Sequence, residues 1–127
     1  MKATELRIGN WINYIGSGDV QLSSKEALCN VFDDLESEYP LSSPIPLTEE
    51  WLLKFGFELK DEVNMGFIKQ INFPHMKNYL YANSKFYTTA LWDDKKQIEI
   101  FIMNQAKYVH QLQNLYFALT GEELTIK

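Results

Sequence analysis

The chain has 127 residues, of which 46% are hydrophobic and 23% are charged, and its formal net charge is −5. This length and composition are typical of a globular domain with a real core, and they exclude an intrinsically disordered chain. Residues 1–66 carry 12 acidic and 5 basic residues, and Arg7 is the only arginine, so the sequence lacks the concentrated basic surface that duplex DNA binding requires.

Cysteine content and hydropathy bear on the location of the protein. Cys29 is the only cysteine, so no internal disulfide can form. No apolar segment approaches the roughly 18 residues that span a bilayer, and residues 1–10 contain no signal-peptide core. We therefore expect a cytoplasmic protein with no membrane-spanning segment. Cys29 lies between Leu28 and Val31 in an apolar pattern, which predicts that its thiol packs in the core.

The first elements along the chain are a hairpin and a helix. Leu6 to Ile15 is rich in β-branched and aromatic residues, Gly16 to Asp19 is a turn signal, and a short return strand follows, which predicts a β-hairpin. Ser23 then has capping-box spacing at the start of an amphipathic helix. Acidic residues crowd the far end of this helix and oppose its dipole, so we expect that end to fray early. The apolar stripe consists of Leu28, Val31, Phe32 and Leu35.

A proline- and serine-rich connector leads to the clearest helix start in the chain. Residues 40–46 are held extended by their prolines and mark a possible subdomain boundary within a predicted single domain of residues 1–127. Thr48 has the character of an N-cap, with two glutamates in the first turn, where anions suit the helix dipole. Gly56 is placed to end this short helix. The side chains that it presents to the core are Trp51, Leu52 and Phe55.

The second half of the chain predicts an antiparallel sheet followed by a helix. Residues 57–101 alternate strand-like runs with polar turns, which indicates a meander of four or five strands. Residues 108–120 form a helix that ends at Gly121. Its apolar stripe consists of Val109, Leu112, Leu115, Tyr116 and Leu119. The predicted fold class is α+β, an antiparallel β-meander with an N-terminal hairpin, a short capped helix and a C-terminal helix packed on the sheet.

The sequence shows no pattern that is typical of a catalytic or metal site. His75 and His110 are the only histidines, and there is neither a His-Glu-x-x-His motif nor a pair of cysteines. The acidic residues at 33–38 lack the alternating ligands and the central glycine of an EF-hand, so we interpret them as a solvated face. We therefore predict no catalytic residue, no cofactor and no metal ion.

Residues 73–87 interleave lysines with aromatic residues. Such a stretch can follow a single nucleic-acid strand by stacking, but alternating aromatics also make a good sheet core. A nucleic-acid surface would require a continuous basic groove. The lysines that would form it are Lys77, Lys85, Lys95 and Lys96.

Three segments that frame nearly the whole chain carry a resemblance to known proteins. They are Glu5–Trp11, Pro44–Phe57 and Val109–Leu124. With these segments the chain resembles a family of small hypothetical proteins from gut Bacteroidales and their prophages, in which the regions 12–43 and 58–108 vary. The resemblance implies an accessory protein of a mobile element, and it carries over no catalytic or binding residue.

The polar residues of the C-terminal helix are the candidate interaction surface. We expect them on or beside its outward face, where they either dock a partner or bond to a neighbouring loop. These residues are His110, Gln111, Gln113 and Asn114. Together with the acidic first half, they favour a small non-enzymatic protein that binds a protein partner and leave its oligomeric state open. The alternatives are a nucleic-acid-associated accessory factor and an enzyme whose site is assembled from scattered residues around a pocket.

Overall fold

The computed structural model of the chain has the architecture that its sequence predicts. It describes residues 1–63, 65–73, 76–83, 88–93, 98–103 and 106–127. Within these ranges the chain forms two antiparallel sheets and three α-helices. The α+β class with an antiparallel meander and a C-terminal helix is therefore confirmed. The predictions that concern His75, Lys85, Lys95 and Lys96 lie outside the described residues.

The first sheet combines the predicted hairpin with a strand from the proline-rich connector. Its strands are β1 (Trp11–Tyr14), β2 (Gly18–Gln21) and β3 (Ser42–Ser43), in the order β2-β1-β3, and a 3-10 turn at Ala3–Glu5 precedes them. Both pairings are antiparallel, with Ile12 opposite Val20 and Asn13 opposite Ser43. The connector at 40–46 is thus tied to the hairpin by strand pairing.

Helix α1 (Lys25–Leu35) differs from its prediction at both ends. Its N-cap is Ser24, one residue later than expected, whose hydroxyl accepts a hydrogen bond from the Ala27 N–H at 3.1 Å. At its far end the helix continues to Leu35, and the Asp34 carboxylate accepts hydrogen bonds from backbone N–H groups in the connector, the shortest being 2.8 Å from Ser42. The core prediction for Cys29 is wrong, since this residue lies on the exposed face of α1.

Helix α2 (Glu49–Lys54) follows its predicted capping. The Thr48 hydroxyl accepts from the Trp51 N–H at 3.4 Å, and Gly56 has a φ of +84°, a left-handed conformation that suits the residue after a helix. The three side chains predicted for the core are all buried, Leu52 and Phe55 completely. Local signals were sufficient here because both caps depend on residues within one turn.

The second sheet is a five-stranded meander with the strand order β4-β5-β6-β7-β8. Glu58 pairs with Ile68, and Gln70 pairs with Tyr79. Phe67, Ile71 and Leu80 are buried on the face of this sheet that meets the helices. The strands are β4 (Glu58–Asp61), β5 (Gly66–Phe73), β6 (Met76–Asn83), β7 (Thr88–Asp93) and β8 (Ile98–Met103).

Helix α3 (Val109–Thr120) closes the larger of two apolar clusters. Leu112 and Tyr116 are buried with side chains from α2 and the second sheet, and Gly121 ends the helix with a φ of +72°. A smaller cluster contains Ile12 and residues of α1. Because successive side chains of a strand point to opposite faces, β1 joins the two clusters: Ile12 enters the smaller one, and Trp11 packs on Trp51 of the larger one at 5.5 Å between ring centroids.

Candidate functional site

Three of the four polar residues predicted for the outward face of α3 lie against the segment Glu5–Trp11, namely His110, Gln113 and Asn114. His110 and Gln113 have no exposed surface, and Asn114 is half-buried. The helix face that carries them is therefore covered by the chain itself. Of the two predicted uses, Gln113 and Asn114 show the second, since both bond to this neighbouring segment.

Gln113 acts as a hydrogen-bonding partner for the backbone of the N-terminal segment. Its Oε1 accepts from the Trp11 N–H at 2.9 Å, and its Nε2 donates to the Gly9 carbonyl at 2.9 Å. The Gly9 carbonyl also accepts from Gln21 at 3.1 Å. Gln111 caps its own helix, since its Oε1 accepts from the Lys107 N–H at 2.9 Å. The side-chain oxygens of Gln113 and Gln111 thus satisfy backbone N–H groups at Trp11 and Lys107.

Asn114 is the centre of a side-chain network. Its Oδ1 accepts from Arg7 Nε at 3.1 Å and from Asn10 Nδ2 at 2.9 Å, and its Nδ2 donates to the Glu5 carbonyl at 2.7 Å. The Asn10 Oδ1 in turn accepts from the Arg7 N–H at 2.7 Å. A buried polar network of this kind holds two segments in one arrangement when its members are satisfied.

His110 is the exception in this cluster. Neither of its ring nitrogens has a hydrogen-bond partner among the described residues, and its Nε2 lies 3.6 Å from Glu5 Oε2, beyond hydrogen-bond distance. Its ring stacks on Tyr108 at 6.0 Å between centroids. Burial lowers the pKa of His110, and the nearby Glu5 opposes that shift only in part.

A polar cavity of about 340 Å³ lies where β4 begins. Two lysines from distant parts of the chain, Lys69 and Lys127, line it, and Glu58 is the acidic residue in its wall. Burial, together with the positive charge of Lys127, lowers the pKa of Lys69. We call this cavity the β4 notch. Sequence reasoning missed it, because no local pattern links these two lysines.

Three exposed apolar side chains lie in the hairpin turn after β1 and in the acidic segment that follows α1. Ile15, Tyr39 and Leu41 expose 65%, 80% and 41% of their surface, respectively. The Ile15 N–H donates to the Leu41 carbonyl at 3.0 Å, so these two residues are adjacent although they are distant in sequence. The region 26–53 contains seven acidic residues and no basic one. We call Ile15, Tyr39 and Leu41 the Tyr39 surface.

The remaining sequence-based hypotheses depend on residues that the structure describes only in part. No group of histidine, cysteine and carboxylate side chains able to hold a metal ion occurs in the described ranges. Among the same residues, no helix is long and apolar enough to cross a bilayer. The side chains of the lysines that would form a nucleic-acid groove lie outside the described part, so that alternative stays a prediction.

Comparison of the chain with protein-family models, with curated proteins and with solved structures gave no match.

Proposed function

We propose that this chain is a small non-enzymatic protein that binds a partner protein through the Tyr39 surface. The observation that carries the proposal is the exposure of Ile15, Tyr39 and Leu41 beside a region without basic residues. The partner that fits this surface is a basic protein segment with at least one large apolar side chain.

The chemistry of the Tyr39 surface supports such a partner. An exposed tyrosine has a large apolar ring with a polar hydroxyl group, and tyrosines are enriched among the residues that dominate binding energies. Burial of Ile15 and Leu41 beside it would remove apolar surface from water. The acidic residues near it include Glu36 and Glu38, both exposed, which would attract a basic segment and orient it.

The polar side chains of α3 support the proposal because the N-terminal segment of the chain already covers them. Gln113 and Asn114 form hydrogen bonds with the N-terminal segment, and His110 is buried beneath it. These residues therefore hold the fold together, and a partner would have to displace Glu5–Trp11 to reach them. The Tyr39 surface requires no such displacement.

The cellular setting that we propose is the cytoplasm, with a role as an accessory protein of a mobile element. Cys29 is an exposed free thiol, which suits a reducing compartment. The resemblance to proteins of Bacteroidales and their prophages supports the second part. Trp11, Trp51 and Gln113, one from each of the three segments that carry the resemblance, belong to one packed and hydrogen-bonded unit.

The test compares variants in one capture experiment. Tagged wild-type protein and a Tyr39→Ser/Leu41→Ser variant are incubated with nuclease-treated lysate of a Bacteroidales host, and bound proteins are quantified by mass spectrometry. Ile126→Ser serves as the control, because Ile126 is similarly exposed (40%) but lies near the end of the chain. We expect a near-stoichiometric partner that the double variant loses and the control retains.

The captured partner must also have the expected chemistry. We expect a basic binding segment, and we expect binding of the purified partner to weaken as the salt concentration rises, because exposed charges are screened. A partner that binds the wild type and the double variant equally contradicts the proposal. Capture that occurs only when nucleic acid is left intact favours the alternative of a nucleic-acid-associated factor.

A further inference from the structure

We infer that the β4 notch binds the phosphate group of a small molecule between the side chains of Lys69 and Lys127. The notch is formed by residues other than those of the Tyr39 surface, so this inference does not depend on the proposed protein partner. Four observations carry it: the shape of the notch, the placement of Lys127, the charges in the wall, and the polar groups that accompany them.

The notch exists because two neighbouring strands differ in length. The described pairing between β4 and β5 reaches Ile68, opposite Glu58, whereas β5 continues to Phe73. The chain that precedes β4 turns away at Gly56, which has a φ of +84°. Lys69 and Gln70 therefore lie on β5 just past the point where its neighbour begins, and the space beside them is the cavity of about 340 Å³.

Lys127 is held over this space by the backbone. Its N–H donates to the Lys54 carbonyl at 2.9 Å, which fixes the residue beside the end of α2. The side chain then crosses Gly56 so closely that a Cβ built on this glycine would lie 2.5 Å from Lys127 Cε. Only glycine leaves room for this path, and the path brings the ammonium group of Lys127 to the notch.

The charged residues that line the β4 notch favour the binding of an anion. Two lysines, Lys69 and Lys127, line the same cavity, and Glu58 is the acidic residue among the lining residues. The structure records no hydrogen bond and no ion pair for either ammonium group with any described residue. Burial is the main cause that lowers the pKa of Lys69, and repulsion by the positive charge of Lys127 lowers it further. A bound anion would remove this repulsion.

The neutral groups of the notch match an oxyanion. Gln70 and Tyr79 pair across β5 and β6 and both line the cavity, and their side chains, which share the sheet face opposite to that of Lys69, carry an amide and a phenol that can donate hydrogen bonds. Charge-assisted hydrogen bonds from lysine to phosphate are stronger than bonds between neutral groups. The cavity is larger than a phosphate ion, so there is space for part of the molecule that carries the group.

The test is titration of the purified full chain with inorganic phosphate at constant ionic strength and pH 7, followed by ³¹P NMR and calorimetry. We expect saturable binding with a millimolar dissociation constant. Lys69→Gln and Lys127→Gln should each weaken it at least about fivefold, since each removes one charge-assisted contact, and the double variant should abolish it. Lys107→Gln is the control, because Lys107 is an exposed lysine that does not line the notch.

The same titration with a sugar phosphate and with a nucleoside monophosphate identifies the source of the phosphate group. Tighter binding of either compound than of inorganic phosphate assigns the site to that class of molecule, and equal binding assigns it to free phosphate. Lack of saturable binding for all three ligands overturns the inference. Binding that the double lysine variant retains also overturns it, provided that circular dichroism shows the variant to be folded.

Discussion

Arg7 and Glu123 form an ion pair although they lie near opposite ends of the sequence. Arg7 Nη1 lies 2.6 Å from Glu123 Oε1, and Nη2 lies 3.3 Å from Oε2. The same guanidinium lies over the ring of Phe117, 4.3 Å from its centroid, and donates through Nε to Asn114. One side chain thus fastens the N-terminal segment both to α3 and to the residues that follow it.

These contacts predict unequal effects for the two partners of the ion pair. Arg7→Lys should lower the free energy of unfolding by about 1–2 kcal/mol, because lysine cannot reproduce the forked contact or the stacking on Phe117. Glu123→Gln should lower it by less than about 1 kcal/mol, because a solvent-exposed ion pair is screened. Urea unfolding of both variants measures the difference. Equal losses would show that the ion pair, and not the contacts to Asn114 and Phe117, stabilises this junction.

Gln113 offers a test of the buried junction. Gln113→Ala should cost about 2–4 kcal/mol of unfolding free energy, since it leaves the Trp11 N–H without a partner and opens a cavity. The Gly9 carbonyl keeps its bond from Gln21, which limits the loss. Gln21→Ala, at an exposed position, is the matched control and should cost less than about 1 kcal/mol. If Gln113→Ala is as mild as the control, α3 does not depend on the N-terminal segment.

The apolar stripe of α3 is the next test, because the sequence treats its leucines as equivalent. Leu112 is completely buried, whereas Leu115 is only partly buried beside the larger cluster. We expect Leu112→Ala to cost about 2–5 kcal/mol and Leu115→Ala about 1–2 kcal/mol. Chemical denaturation of the two variants under the same conditions measures this order. The reverse order would mean that α3 is rotated about its axis relative to the structure.

Local chemistry explains which features could be predicted from the sequence. The caps at Thr48, Gly56 and Gly121 depend on residues within one turn, so composition and spacing revealed them. The strand periods likewise predicted the meander. For Cys29, the neighbouring apolar residues indicated burial, but on a helix the next residue is rotated by about 100° and points elsewhere.

The rest of the candidate sites depends on contacts between distant segments. The sequence places Gln113 and Asn114 on a polar face of the helix. Only the position of Glu5–Trp11 in the structure shows that this face is covered. The pairing of Lys69 with Lys127 across the β4 notch arises in the same way. A single sequence contains no signal for either arrangement, because no fixed spacing produces it.

His110 predicts a pH dependence of stability with a defined sign. Burial holds the pKa of His110 below its ordinary value of 6.5 in the folded chain, so the unfolded chain binds more protons at mildly acidic pH. The stability that the neutral imidazole contributes is complete above pH 6.5. It is lost as the pH falls from 6.5 to the lower pKa that His110 has in the folded chain. Urea unfolding at several pH values should show a steeper decline for the wild type than for His110→Gln.

Glu5 contributes a second pH dependence, which lies at lower pH than that of His110. The hydrogen bond from the Lys2 N–H is the main cause that lowers the pKa of Glu5, so its contribution is lost only below its ordinary value of 4.5. Glu5→Gln should therefore remove the contribution that is lost below pH 4.5 and, because the Glu5 carboxylate also raises the pKa of His110, should extend the decline that begins just below pH 6.5. If the wild type and His110→Gln decline in parallel, His110 is not the group that titrates.

Substitution of two glycines with similar φ values distinguishes the effect of backbone strain from that of steric crowding. Gly56 and Gly16 have φ values of +84° and +92°, but only Gly56 lies against a side chain, that of Lys127, whereas the space beside Gly16 is open. Alanine at either position should cost about 1–2 kcal/mol of unfolding free energy from the left-handed backbone. The additional cost at Gly56 should be small, because the crowded atoms belong to the flexible end of a lysine, which can be displaced.

This displacement of the Lys127 side chain should, however, weaken phosphate binding in Gly56→Ala, whereas Gly16→Ala should leave binding unchanged. Equal affinities in the two variants, both folded by circular dichroism, would show that the path of Lys127 over Gly56 does not matter for the β4 notch.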